Sequence, residues 1–336
     1  MKITLLSIAA LLPCFIAHSQ EAEDLGRYAE VSVITRLDAA PSYNSSSSEF
    51  GFDLGNSSIY TLFEGSLSEH FSWTVANHWI SSGGDYAWPY TNLGRSDSTN
   101  WLDYFLVDFT FGNWTFSLGK DMITTGGFEF DEWDWDIYSQ TASPLWNYLS
   151  CYQWGGKVAY TTPSEMSRFS LQMTSSPYGE HPFSSGLWAY SGQWAGEYGP
   201  YSSIASVSAI QYDKNDYYYL ISLGQNLDLD AWTVGLDWSN SFDFEDELHF
   251  GKGGTFSGLL SYSPSDKLTA SLRGSYIYTP DDDLVGDHWI AAGLAEWFPL
   301  HESDDLRLHA MISYDSFLEQ VALCVGARWN LRFRLF

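Results

Sequence analysis

The side chains best placed to do chemistry in this sequence are charges, and they fall into two groups. Residues 121–152 contain Asp121, Glu129, Asp131, Glu132, Asp134 and Asp136 and no lysine or arginine. Near the other end stand Arg273, Arg307, Arg328, Arg332 and Arg334, at positions whose neighbours two residues away are polar. Rings of Asp and Glu around a passage favour cations. An acidic segment set against a basic wall would add a transverse field able to orient dipolar solutes. Trp133, Trp135, Ile137 and Tyr138 are interleaved with the acids, which suits a segment pinned to a wall by its rings while its carboxylates face water.

Enzymatic chemistry finds no such support. There is no Gly-x-Ser-x-Gly and no His-Glu-x-x-His, and no nucleophile, base and orienting group stand in a recognisable pattern. Gly251-Lys252-Gly253-Gly254-Thr255 has the composition of a phosphate loop without its spacing, so a loop tip is expected there. His78, His288 and His309 are the side chains that a site lacking a linear signature would use. Two further acidic clusters, Asp243 to His249 and Asp281 to Asp287, are dense in oxygen ligands. Ala292 stands where a calcium loop starting at Asp281 would need glutamate, so both clusters are read as solvated loops. No catalytic residue, resident metal or cofactor is assigned. The net charge of −27 argues against a nucleic-acid partner.

The elements that would position these charges are strands with two unlike faces. Trp114, Phe116 and Leu118 alternate with Thr115, Ser117 and Gly119, and Phe169, Leu171 and Met173 alternate with Ser170, Gln172 and Thr174. Trp232 to Trp238, Leu268 to Leu272 and Leu306 to Ile312 repeat the pattern. A period of two sets one apolar face against one wet face. Polar turns separate many of the runs, as at Gly112-Asn113, Pro163-Ser164-Glu165 and Pro264-Ser265-Asp266, while other connections are longer. Placing the connections alternately on two rims requires a turn near Gly199-Pro200. The count then closes at about sixteen strands, with fourteen or eighteen still open.

Composition says what such strands would face. The chain holds 16 Trp, 22 Tyr, 21 Phe and 28 Gly at a mean hydropathy of −0.19. Past the first twenty residues no apolar stretch is long enough to cross a bilayer as a helix. This is the composition of an all-β transmembrane antiparallel β-barrel; a large soluble all-β protein is the alternative. Met1-Lys2, the apolar run Ile3 to Ile16 and Ala17-His18-Ser19 read as a secretory signal over residues 1–19, leaving 20–336 as the barrel. Cleavage would remove Cys14 and leave Cys151 and Cys324, whose pairing stays open. In the last strand Trp329, Leu331, Phe333 and Leu335 alternate with Asn330, Arg332 and Arg334, while Phe336 falls out of phase. Arg332 and Arg334 therefore have two readings, as lumen residues or as rim residues touching headgroups.

The hairpin Glu64-Gly65-Ser66-Leu67-Ser68-Glu69-His70-Phe71-Ser72-Trp73 begins a series that continues through Trp101-Leu102-Asp103-Tyr104, Trp114 to Asp121 and Gly126-Gly127-Phe128-Glu129. Asn147 to Tyr152 and Leu187-Trp188-Ala189-Tyr190 extend it. In this order, over about residues 57 to 240, the chain resembles Bacteroidota-type outer-membrane porins related to the phosphate-selective porin family. The resemblance implies a sixteen-stranded barrel, often trimeric, with a loop folded inward to narrow the pore. Phosphate-selective relatives use a ladder of basic side chains, which the acidic segment 121–152 lacks.

The expectation is a porin of the cell outer membrane, passing small hydrophilic solutes or ions with weak cation preference. Residues 121–152 would form the constriction, with an extracellular flap as the other placement. The expected partners are outer-membrane lipid and lipopolysaccharide, the barrel-assembly machinery and two further copies in a homotrimer. The alternative is a non-conducting barrel serving as surface receptor, adhesin or scaffold for partner proteins.

Overall fold

The computed structural model describes residues 27–81, 102–179, 184–240, 253–279, 286–300 and 303–335. The expected signal segment 1–19, the acidic clusters at 243–249 and 281–283, and Phe336 lie outside the described residues. Among the described residues no helix is long and apolar enough to cross a membrane.

The alternating runs form strands, and the strands form one sheet. They are β1 Tyr28–Asn44, β2 Glu49–Asp53, β3 Ser58–Ser68, β4 Phe71–Ser81, β5 Leu102–Phe111, β6 Trp114–Met122, β7 Tyr152–Thr161, β8 Ser167–Ser175 and β9 Trp188–Tyr198. The series continues with β10 Tyr201–Asp213, β11 Asp216–Leu229, β12 Trp232–Ser239, β13 Gly254–Ser265, β14 Leu268–Tyr278, β15 His288–Trp297, β16 Leu306–Asp315 and β17 Gln320–Arg334. Successive strands pair antiparallel, β2 with β3 excepted, and β1 pairs with β17 from Glu30 opposite Arg334 to Asn44 opposite Gln320. That seam closes the sheet into a barrel, so its strands can satisfy their backbone within the wall.

The segments β2 and β3 both pair with β1, β2 along Ala40–Asn44 and β3 along Tyr28–Arg36. They are two pieces of one barrel strand, interrupted at residues 54–57, which makes sixteen strands in the closed barrel. Gly55 takes a left-handed φ of 54° at the interruption. The chain there wraps Asp38: Asn56 N–H donates to its Oδ2 at 3.1 Å, and the Asp38 N–H donates to Ser57 Oγ at 2.8 Å.

Burial is inverted relative to a water-soluble fold. Leu118, Leu171, Leu236 and Leu272 are 60–67% exposed on the outside, while Ser170, Ser191, Ser208, Ser222 and Ser275 are buried inside. A continuous apolar belt of this kind is stable against lipid, whereas water would penalise it. Aromatic pairs border the belt, Trp114 with Tyr160 and Trp232 with Tyr262 toward one rim, Trp289 with Tyr314 toward the other. Rings at the edges of an apolar band suit the boundary between hydrocarbon and headgroups.

The described strands begin and end at one rim, where the connections are short: 69–70, 112–113, 162–166, 199–200, 230–231 and 266–267. The turn at Gly199-Pro200 stands where the alternation requires it. The opposite rim carries the long connection 123–151. It is not uniformly long, because 45–48, 214–215 and 316–319 are tight turns as well.

Candidate functional site

The connection from β6 to β7 does not rise above the barrel; it enters the lumen. Its first turn lies against the inner wall of β8 and β10, where Thr124 N–H donates to Gln172 Oε1 at 2.7 Å and Ser206 Oγ donates to Gly126 O at 2.9 Å. Gly127 and Gly224 then allow close approach to β12, since a Cβ on either would overlap Asp237 Oδ1. A 3-10 turn, Phe128–Asp131, and a short helix α1, Pro144–Tyr148, fold the segment back on itself. Ser143 caps α1 by accepting from Trp146 N–H at 3.1 Å, and proline stands in its first turn.

Apolar contacts explain why this segment is ordered. The inner wall presents Ala189, Ile210 and Leu220, which would otherwise meet lumen water, and Ile123, Leu145, Leu149 and Cys151 bury against them. Covering this much apolar surface offsets the entropy of fixing the loop.

The far arm of the loop crosses to the closure seam. Arg36 on β1, Arg328 on β17 and Arg307 on β16 stand directly opposite one another in register, forming a row of three guanidinium groups. Arg36, 1% exposed, donates Nη1–H to Trp135 O at 3.1 Å and to Ile137 O at 2.6 Å, and lies 4.5 Å from the Tyr138 ring centre. Arg307 Nη1 donates to Asp136 Oδ1 at 2.8 Å, and Arg328 Nη1 bonds the same oxygen. Tyr138 O–H donates to Glu296 at 3.0 Å. The Trp133 and Trp135 rings stack at 4.7 Å, and the Trp135 ring packs on Tyr60 at 5.1 Å.

The six acidic residues therefore have unlike fates. Asp121 belongs to β6 rather than to the loop, because β6 stays paired with β7 as far as Met122; it is ion-paired to Lys157 on β7 at 2.5 Å. Glu129 accepts from Ser143 N–H at 2.8 Å and from Ser143 Oγ, and burial pushes its carboxyl up to about 7. Asp134 accepts from the Tyr152 hydroxyl, and burial raises it too, with the Asp103 carboxylate adding to the effect. Glu132 lies 3.6 Å from Arg273 Nη2 on β14. Asp136 is held by the arginine row, and Asp131 alone of the six is exposed. The rings pin the loop to the wall, but five of the six carboxylates meet protein partners rather than open water, and Asp136 is charge-matched by two arginines where it docks.

The basic wall needs the matching correction. Arg307 and Arg328 do face inward, as the cost of about 2 to 4 kcal/mol for a lipid-facing arginine requires. They touch the loop directly, so no wide field crosses the barrel at that point. Arg332 binds Asp304 at 2.8 Å and Asp305 at 2.9 Å at the rim of the chain ends, and Arg334 is exposed nearby. Arg36 and Asp38 were not among the candidate residues. Their signal was the alternation Arg36, Asp38, Ala40 against Leu37 and Ala39 in β1.

One cluster has the residue types of a metal site. Asp38, His309 and Cys324 are buried, with ligand atoms within 4.8 Å of one another. Asp38 already accepts from His309 Nε2 at 3.0 Å, from Arg36 Nε at 3.0 and 3.2 Å and from Asn56 N–H. A cation there would share its carboxylate with a guanidinium, so the arrangement serves better as a hydrogen-bonded brace for Arg36. Cys151 and Cys324 are both free thiols in separate clusters.

Between the loop and the inner faces of β11 to β14 lies a cavity of about 100 Å³. Glu129, Glu132, Asp237 and Arg273 line it together with serines and threonines.

No family model and no curated protein matches the chain. Solved structures do. OmpF of Salmonella typhi in complex with daunomycin superposes with a TM-score of 0.64 at 10% identity, covering 91% of this chain and 97% of that one. A mutant of the Rh. blastica porin gives 0.59 at 13% identity over 90% of this chain and all of that one. The trimer form of in-vitro folded OmpT of Vibrio cholerae gives 0.56 at 12% over 91% and 100%. The barrel is thus similar in fold to general porins along nearly its whole length.

Proposed function

We propose that the chain is a porin: a passive channel of the outer membrane for small hydrophilic solutes or ions, narrowed by the connection 123–151. The observation that carries the reading is the loop clamped inside the lumen by Arg36, Arg307 and Arg328 while it leaves a polar cavity against β11 to β14. The channel prefers cations weakly. The arginines along the loop are matched by Asp38, Asp136, Glu132 and Glu296, which leaves Asp131 and Asp237, joined by Glu129 as pH rises through about 7, as surplus negative charge beside the passage. Phosphate selectivity is not part of the proposal, because no basic ladder stands on the loop; kinship with phosphate-selective porins rests on the hairpin sequences alone.

Residues 1–19 are proposed as a cleaved signal, and assembly as a homotrimer is supported by the trimer form of OmpT. Lipopolysaccharide and the assembly machinery are its expected contacts, and no catalytic role is included. Single-channel recording of the purified protein in planar bilayers tests the reading, with stepwise conductance and a reversal potential of cation-selective sign in a KCl gradient as the expected result. Anion selectivity overturns the charge assignment. A second reading, a non-conducting receptor or scaffold, is favoured by the loop touching walls on both sides of the lumen, and persistent absence of conductance from a folded barrel would establish it.

A further inference from the structure

The cavity between the loop and strands β11 to β14 has polar groups left over. Thr255, 2% exposed, has its Oγ1 without a partner, and Arg273 Nε–H is likewise unpaired; both line the cavity. A buried polar atom without a partner costs on the order of 1–3 kcal/mol, so something that supplies hydrogen bonds belongs there.

The charges around the cavity say what kind of molecule fits. Each carboxylate is already occupied: Glu129 by Ser143, Asp237 by the Phe128 N–H at 3.2 Å, and Glu132 by Arg273. A free anion would meet three carboxylates, and a free cation would displace or face the Arg273 guanidinium. What remains unfilled is one guanidinium N–H and one hydroxyl, which suit a neutral solute with several hydroxyl groups. The rings of Phe128 and Phe130 also line the space and can pack against the C–H face of such a molecule.

The wall below the cavity continues the same chemistry. Ser257 pairs with Ser275 at 2.9 Å, Ser261 with Ser271 at 3.0 Å and Ser263 with Thr269 at 3.0 Å, a column of hydroxyls on β13 and β14 running to the rim of the chain ends. A solute leaving the cavity can exchange one hydroxyl partner for the next along this column. Size narrows the class, since at about 30 Å³ per water the cavity of about 100 Å³ takes roughly three waters, the room of a polyol of two to three carbons.

We propose that this cavity is a binding site for a small neutral polyol of two to three carbons, held by Thr255 and Arg273 on the β13–β14 wall. The proposal deepens the porin reading and rests on it for the route by which solute arrives. The test is calorimetric titration of the folded, detergent-solubilised protein with glycerol, alongside ammonium chloride and potassium acetate as ionic probes, and with the variants Thr255→Val and Arg273→Gln. Heat-modifiable mobility on gels confirms that each variant is folded.

Saturable glycerol binding, weakened about tenfold by either substitution, is the expected result. Binding of ammonium or acetate in place of glycerol overturns the solute class. Equal glycerol affinity in both variants overturns the location, and absence of any saturable heat overturns the site itself. Because the titration does not need current to flow, a barrel that fails to conduct refutes the channel without deciding the site.

Discussion

Replacing Asp136 by alanine tests the clamp between loop and seam more directly than any other single change. In the native protein one Asp136 oxygen receives hydrogen bonds from both Arg307 and Arg328. Each charge-assisted bond contributes about 1.5–3 kcal/mol. The Asp136 side chain is 26% exposed, Arg307 keeps Glu296 at 3.2 Å and Arg328 keeps Asp304 O at 3.2 Å, so the lower end applies and the loss is about 3 kcal/mol. At about 1.4 kcal/mol per tenfold, the detached form of residues 133–138 gains roughly two orders of magnitude in population. The substitution also unmasks two guanidinium groups. Single-channel recording of Asp136→Ala in KCl should therefore show larger and noisier conductance steps, and the reversal potential in a salt gradient should move toward anions. A variant whose conductance and reversal potential both equal those of the native protein would refute the clamp.

Three further outcomes follow from the same geometry. Glu129 has an ordinary carboxyl value of 4.5 and a folded value of about 7, so its contribution to loop docking is complete below about 4.5 and is lost as pH rises through about 7; cation preference should increase between about pH 6 and 8, and a Glu129→Gln channel should not show that change. Deleting residues 128–138 should enlarge the conductance, since it removes the 3-10 turn, both stacked tryptophans and Asp136; unchanged conductance would show that the loop does not narrow the passage. Cys151 and Cys324 should resist maleimide in the folded barrel and both react after heating in detergent, while an intact mass corresponding to a disulfide would contradict the placement of the thiols.

The barrel was legible because lipid and lumen impose a period of two that each strand records by itself. Leu171 outside and Gln172 inside, or Leu308 outside and His309 inside, can be assigned without knowing any neighbour. The site was only half legible, for a reason of topology. Arg307 and Arg328 lie near the end of the chain and announce themselves as a group, but the third member of their row, Arg36, is 271 residues from Arg307 and becomes its neighbour only when β1 closes on β17. No local pattern reports that register. Asp121 opens the acidic segment in sequence, yet β6 continues pairing with β7 through Asp121 opposite Gln153, a register that no local pattern reports. The interior structure of the loop was invisible for the same reason, since its order comes from the apolar patch of Ala189, Ile210 and Leu220 on strands remote in sequence.

The arginine row ties the loop to the closure of the barrel itself. Like charges directly opposite on neighbouring strands destabilise a sheet, and here three occupy consecutive strands at the seam where the first strand meets the last. Asp38 and His309 brace one end of the row, Glu296 the other, and the loop supplies Asp136 to Arg328 and Arg307 and two backbone carbonyls to Arg36. The loop thus relieves a repulsion that the seam would otherwise carry alone. Barrel closure and loop docking should be coupled in consequence: a barrel lacking residues 128–138 should lose its heat-resistant mobility at a lower temperature, and substituting Arg328 by glutamine in that shortened barrel should recover part of the loss by thinning the unmatched charge. Recovery absent from the shortened barrel, or equal in the full-length one, would mean that the seam bears its arginines without help from the loop.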